Sequence, residues 1–180
     1  MRTNVRKWIF SALFLAIGLL LPFLTGQVPA IGNMLLPMHL PVLLCGLICG
    51  GGYGLLVGGI LPPLRSLLFG MPILYPNAVW MSFELATYGL VIGLLYRCGR
   101  RRSTGWLYAC LVAAMLAGRL VWGAAKAILL GVGGERLLLK AFWAEGFVNA
   151  IPGILLQLIL IPLLMAVYEK MHIDLTTRGA

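Results

Sequence analysis

Acidic residues are scarce in this chain: five Asp and Glu stand against 14 Lys and Arg, and charged residues of both signs make up only 11% of 180 positions. An average soluble domain is about a quarter charged, so a soluble globular fold is excluded. The shortage also removes most enzyme chemistry. The sequence contains no HExxH, no GxSxG elbow and no Walker loop. Of its two histidines, His39 sits in an apolar run and His172 in the carboxy-terminal tail, so they cannot share a metal. The four cysteines, Cys45, Cys49, Cys98 and Cys110, form no CxxC pair and read as small buried hydrophobes. No enzymatic activity, resident metal or cofactor is implied.

What the chain has in abundance is apolar surface: 61% of its residues are hydrophobic and its mean hydropathy is +0.99. This is the composition of an all-α integral membrane protein. With spans of roughly 20 residues, the length accommodates about six transmembrane helices in one compact bundle, a single domain over residues 1–180. The apolar runs are Trp8 to Leu24, His39 to Cys49, Tyr53 to Phe69, Ala78 to Tyr96, Trp106 to Leu130 and Trp143 to Tyr168. The second is too short to cross a bilayer alone and is expected to extend back into Met34-Leu35-Leu36-Pro37. The basic start followed by an apolar stretch resembles a signal peptide, but Pro22-Phe23-Leu24-Thr25-Gly26 offers no small-x-small cleavage site, so a retained first helix is expected.

The net charge of +9 does not point to nucleic acid, because the basic residues sit at helix ends: Arg2, Arg6 and Lys7, then Arg97, Arg100, Arg101 and Arg102. Cytoplasmic loops retain Lys and Arg, which places both termini and the Arg97–Arg102 turn inside a multi-pass protein of the cell membrane, in contact with lipid.

That topology assigns a depth to every polar residue within a span. His39, Arg65, Glu84, Arg119, Lys126, Glu145 and Asn149 all fall in the outer half, whereas Leu90–Leu95 and Leu155–Val167 carry almost no ionisable groups. Intramembrane charges face bundle interiors or cavities and mark ligand pathways. Helical spacing groups them further. Trp80, Glu84, Thr87 and Tyr88 share one face, Met115, Arg119, Trp122 and Lys126 a second, and Glu145, Asn149 and Pro152 a third. Directional polar groups among aromatic walls suit a small-molecule pocket. In the competing reading Arg119 braces the bundle through Glu84 or Glu145, while Lys126 and Arg65 snorkel to the outer interface. Three cations nevertheless face two carboxylates, and the excess favours an anionic guest.

Glycine and proline supply architecture. Pro37-Met38-His39-Leu40-Pro41 and Leu61-Pro62-Pro63-Leu64 are expected to break or kink their helices. Gly46, Gly50, Gly54 and Gly58 recur every four residues and should let helices approach closely. The segment Gly26 to Pro37, with Gln27 and Asn33, is placed either to cover the chamber as a lid or to serve as a plain connector.

The run GNMLLPMHLPVLLCGLICGGGYGLLVGGILPPLRSLLFGMP, followed by FELATYGLVIGLLY, AGRLVWG and NAIPGILLQLILIPLL, resembles the substrate-binding S components of energy-coupling factor (ECF) vitamin transporters, which are prokaryotic. The resemblance implies one micronutrient bound near the outer face, association with a transmembrane coupling subunit and two ATPase subunits, and no catalysis by this chain. It also implies a small-residue AxxxA patch on the first helix for docking the coupling subunit, matched here by Ala12 and Ala16 with Gly18 just beyond. The residues that depth, spacing and the covering segment single out for that pocket are Asn33, His39, Arg65, Trp80, Glu84, Tyr88, Arg119, Trp122, Glu145 and Asn149. A small hydrophilic anion such as pantothenate is the favoured ligand. Riboflavin, folate or a pyridoxine-type vitamer remains open, since Trp80, Tyr88 and Trp122 could stack on a ring. Outside the resemblance, a self-contained secondary transporter and a structural membrane protein remain as alternatives.

Overall fold

The computed structural model describes residues 2–25, 35–99, 103–132 and 148–177. Those residues form helices joined by turns: α1 (Arg2–Leu20), a 3-10 turn (Leu21–Thr25), α2 (His39–Ile48), α3 (Gly51–Phe69), a wide turn (Leu74–Ala78), α4 (Val79–Cys98), α5 (Thr104–Val132) and α6 (Ile151–Thr177). Five of the helices are long and apolar enough to cross a membrane, and α2 is the short one. The protein is an all-α membrane bundle.

α4 lies at its centre, packed against α2, α3 and α5, while α1 covers α2 and α3, and α6 leans on α2 and α5. The reason α4 can occupy that position is the absence of side chains along one seam. A Cβ on Gly54 would stand 2.6 Å from the carbonyl oxygen of Gly89, and one on Gly46 would stand 2.5 Å from the same atom. Backbone thus meets backbone between α4 and the α2–α3 pair. Gly50 has a different role from the packing expected of it. At φ 110° it makes the tight turn between α2 and α3, a conformation that side chains disfavour. Around the seam Leu43, Leu61, Leu85, Ile92, Leu111 and Ile161 form a fully buried core.

Several boundaries differ from the sequence reading. α2 begins at His39 rather than within Met34–Pro37, because Leu36 adopts a left-handed conformation (φ 50°) and Pro37-Met38 form a turn. Pro41 then falls in the first turn of α2, where the missing N–H leaves no bond unmade. α3 is not broken at Pro62 and Pro63 and runs on to Phe69, where its apolar run ends. α6 starts at Ile151, so Asn149 occupies the turn before the helix, not its first turns.

The end of the bundle that carries the basic clusters is tied by side chains. Arg97 Nη2 donates to the carbonyl of Cys49 at 2.7 Å, closing the α2–α3 turn, and the Tyr96 hydroxyl donates to Glu169 at 3.2 Å, joining α4 to α6. Arg97 is therefore a structural contact as well as an orientation signal.

Candidate functional site

The opposite end holds a cavity of about 570 Å³ lined by residues from α2 to α5 and from the turns beside them. Two helical stripes build it. On α4, Trp80, Glu84 and Tyr88 recur every four residues, and all three are buried. On α5, Met115, Arg119, Trp122 and Lys126 recur at three and four residues, and all four are buried. These residues of the first two faces inferred from spacing are turned inward; of the third, Asn149 is exposed, Pro152 half-buried and Glu145 outside the described residues.

At the floor, Glu84 Oε1 lies 2.9 Å from Arg119 Nη1 and 3.3 Å from His39 Nε2, joining α4, α5 and the first residue of α2. The Arg119 contact is an ion pair, and neither contact is an aligned hydrogen bond. Arg119 Nε and Nη2 and His39 Nδ1 remain buried with no hydrogen-bond partner among the described residues. A buried guanidinium nitrogen without an acceptor is costly, and native structures rarely tolerate several of them without a ligand or water to take the bond. Both Arg119 and His39 line the cavity. The arrangement is thus a neutralised Arg–Glu pair with unpartnered donors buried beside a space large enough for a small molecule.

The other cations are held differently from the competing, snorkelling reading. Arg65 is 3% exposed and does not snorkel: its Nη1 donates to the carbonyl of Leu19 at 2.8 Å and its guanidinium lies over Phe23 and Phe69 at 5.1 and 5.5 Å. It fastens the end of α1 to α3 while lining the cavity. Nor does Lys126 reach for the outer interface. Its ammonium sits 5.2 Å from the Trp80 ring and 5.0 Å from the Trp122 ring, inside the cavity wall.

Of the remaining residues singled out from sequence, Asn149 is exposed and lines the cavity. Tyr88 does not line it. Its ring is 1% exposed and packs edge-on against His39, 4.9 Å between centroids, supporting the floor from beneath. Thr87 donates to the Phe83 carbonyl at 2.7 Å and takes no part. Asn33, Glu145 and the segment 26–34 lie outside the described residues, although Leu36 and Pro37, at the end of the expected lid, line the cavity. Sequence reasoning missed Met38, Met71, Pro72, Ile73, Asn77 and Met81, which complete the wall. Most belong to turns, where no period signals an inward face. It also passed over Gln157, which is 1% exposed in α6 with Nε2 unpartnered among the described residues; its signal was being the lone amide in an apolar run.

On α1, Ala12 and Ala16 are exposed, whereas Ser11, Phe14 and Gly18 face inward. A Cβ on Gly18 would meet Leu61 at 2.6 Å, so Gly18 belongs to the bundle and not to an outer patch.

The family model described as ECF transporter, substrate-specific component, matches residues 6–165. The chain belongs to this family. As an ECF substrate-specific component it is the substrate-binding subunit of a transporter rather than an enzyme, a multi-pass membrane protein serving substrate uptake. Membership sets aside the self-contained carrier and the ligand-free structural protein. It also fits a partner set of a transmembrane coupling subunit and ATPases. No curated protein and no solved structure matches the chain.

Proposed function

We propose that residues 1–180 act as one transmembrane unit that takes up a small, water-soluble, anionic vitamin, pantothenate being the favoured ligand over riboflavin, folate or a pyridoxine-type vitamer. The single observation supporting this reading is Arg119, whose Nε and Nη2 are buried without partners beside a cavity that the residue lines. Glu84, itself met by His39, holds the guanidinium in place, and the ligand's acidic group completes its hydrogen bonding. Arg65, Asn149, Trp80 and Trp122 shape the remaining wall, and Tyr88 supports the floor. Ala12 and Ala16 contact the coupling subunit, through which ATPase subunits drive release of the ligand.

The Arg119–Glu84 contact also favours the bracing role, so Arg119 has two tasks and the test separates them. A charge-assisted hydrogen bond in a partly desolvated site contributes about 1.5 to 3 kcal/mol. Arg119→Gln should therefore weaken pantothenate binding by about one to two orders of magnitude in a calorimetric titration. A thermal melt of the same variant without ligand reads the brace. An unchanged dissociation constant in a folded variant would mean that Arg119 serves the bundle alone.

A further inference from the structure

The aromatic rings around the cavity already have partners, which restricts the shape of guest it can accept. A flat ring gains from an indole by lying offset against one of its faces, or by standing edge-on to it. Either contact needs that face open to the cavity. Trp80 is only 9% exposed and Trp122 only 6%, far less than one open face of an indole would give. The space between them holds the Lys126 ammonium, within 5.2 Å of both ring centroids. A guest ring would have to displace that cation from two π faces and take its place. Tyr88 offers no alternative, because His39 occupies it on one side and a Cβ on Gly118 would strike its ring on another. Phe23 and Phe69 are taken up by Arg65 and by each other.

What remains open is aliphatic and polar. Met71, Met81, Pro72 and Ile73 line the apolar side, and unbranched methionine fills irregular space around a flexible chain. Asn77 and Asn149 add amide groups suited to hydroxyls or amides along such a chain. We propose that the cavity selects open-chain acids bearing hydroxyl or amide groups and rejects acids built on a flat ring. Lys126 enforces the choice by occupying both indoles. The proposal rests on the reading of Arg119 as an anion contact.

Two measurements test it. The first identifies the molecule released from the full chain purified from its native membrane, by mass spectrometry and ultraviolet absorbance. A ring-free acid supports both the proposal and the anion reading. An acid containing an aromatic ring overturns the proposal and leaves the anion reading standing, while a neutral compound, with or without a ring, overturns both. The second titrates the purified chain with pantothenate as the open-chain probe and with riboflavin, folate and pyridoxal phosphate as ring probes. Pantothenate should bind at least about tenfold more tightly than any ring probe, about 1.4 kcal/mol or more. Lys126→Met, which keeps a buried stem but removes the ammonium, should narrow that gap by a similar factor. A ring probe that binds most tightly to the unmodified chain, or a gap that Lys126→Met leaves unchanged, overturns the proposal.

Discussion

The two ends of the bundle bury opposite kinds of chemistry within the same helices. Along the seam of Gly46, Gly54 and Gly89, α4 meets its neighbours backbone to backbone, and the core around it is aliphatic. One or two turns further out, the same α4 buries Glu84 against Arg119 and His39 beside a cavity. Close packing at one end leaves no room for a guest; spare donors at the other leave a reason for one. The difference shows how a short membrane chain keeps a costly polar site: glycine contacts and aliphatic packing supply rigidity, so the polar end need not supply its own.

Breaking the polar end should have the largest effect on stability. Glu84→Gln keeps the side-chain shape and removes the charge that Arg119 faces at 2.9 Å. Removing one partner of a buried pair costs about 3 to 5 kcal/mol, because the other charge stays behind uncompensated. The melting temperature of the variant in detergent should fall accordingly, more than for any neutral substitution in the cavity wall. A melt indistinguishable from that of the unmodified chain would mean that water, not Glu84, compensates Arg119, and the contrast between the ends would lose its basis.

The packed end gives a prediction whose sign decides the matter. Alanine is favoured over glycine within a helix by about 1 kcal/mol, so Gly89→Ala should stabilise an α4 that had room. Here the new methyl group would strike the backbone of Gly54, which no rotamer change can relieve. Overpacking of this kind costs about 1 to 3 kcal/mol, and a net loss of stability is expected. Pantothenate affinity, measured on the folded fraction, should stay within about twofold, a change of under about 0.5 kcal/mol. A gain in stability would show that the helices do not approach as closely as the seam requires.

The two ends were also legible in the sequence to different degrees. The stripes on α4 and α5 were readable because a helix fixes which residues share a face, and charge within an apolar run has few places to go. Periodicity names a face but not what lies over it. Tyr88 shares its stripe with Glu84 yet sits beneath the cavity, because Gly118 leaves space for its ring and His39 covers it. The snorkelling rule misplaced Arg65 and Lys126 for a related reason: it assumes that water is the best partner within reach, whereas here a carbonyl and pairs of aromatic rings hold the charges. Turn residues such as Met71 and Asn77 gave no signal, and neither did the left-handed Leu36 that fixes the start of α2.

The smallest expected effect on binding comes from α1, which belongs to neither end. Ala12 and Ala16 are exposed one turn apart, flanked on the outer face by Leu13 and Ile17, while Phe14 and Gly18 carry the contacts to the bundle. Small residues at this spacing allow a partner helix to approach closely, and filling them prevents it. Replacing both with leucine adds side chains that point away from the core, so stability should change by less than about 0.5 kcal/mol, as surface substitutions do. Pantothenate binding to the isolated chain should be unchanged for the same reason. Uptake by cells that express the chain together with its coupling subunit and ATPases should fall several-fold, and co-purification of those subunits should fall with it. If binding and uptake decline in parallel, the two alanines are packing against the bundle and the coupling surface lies elsewhere. If neither declines, α1 faces only lipid.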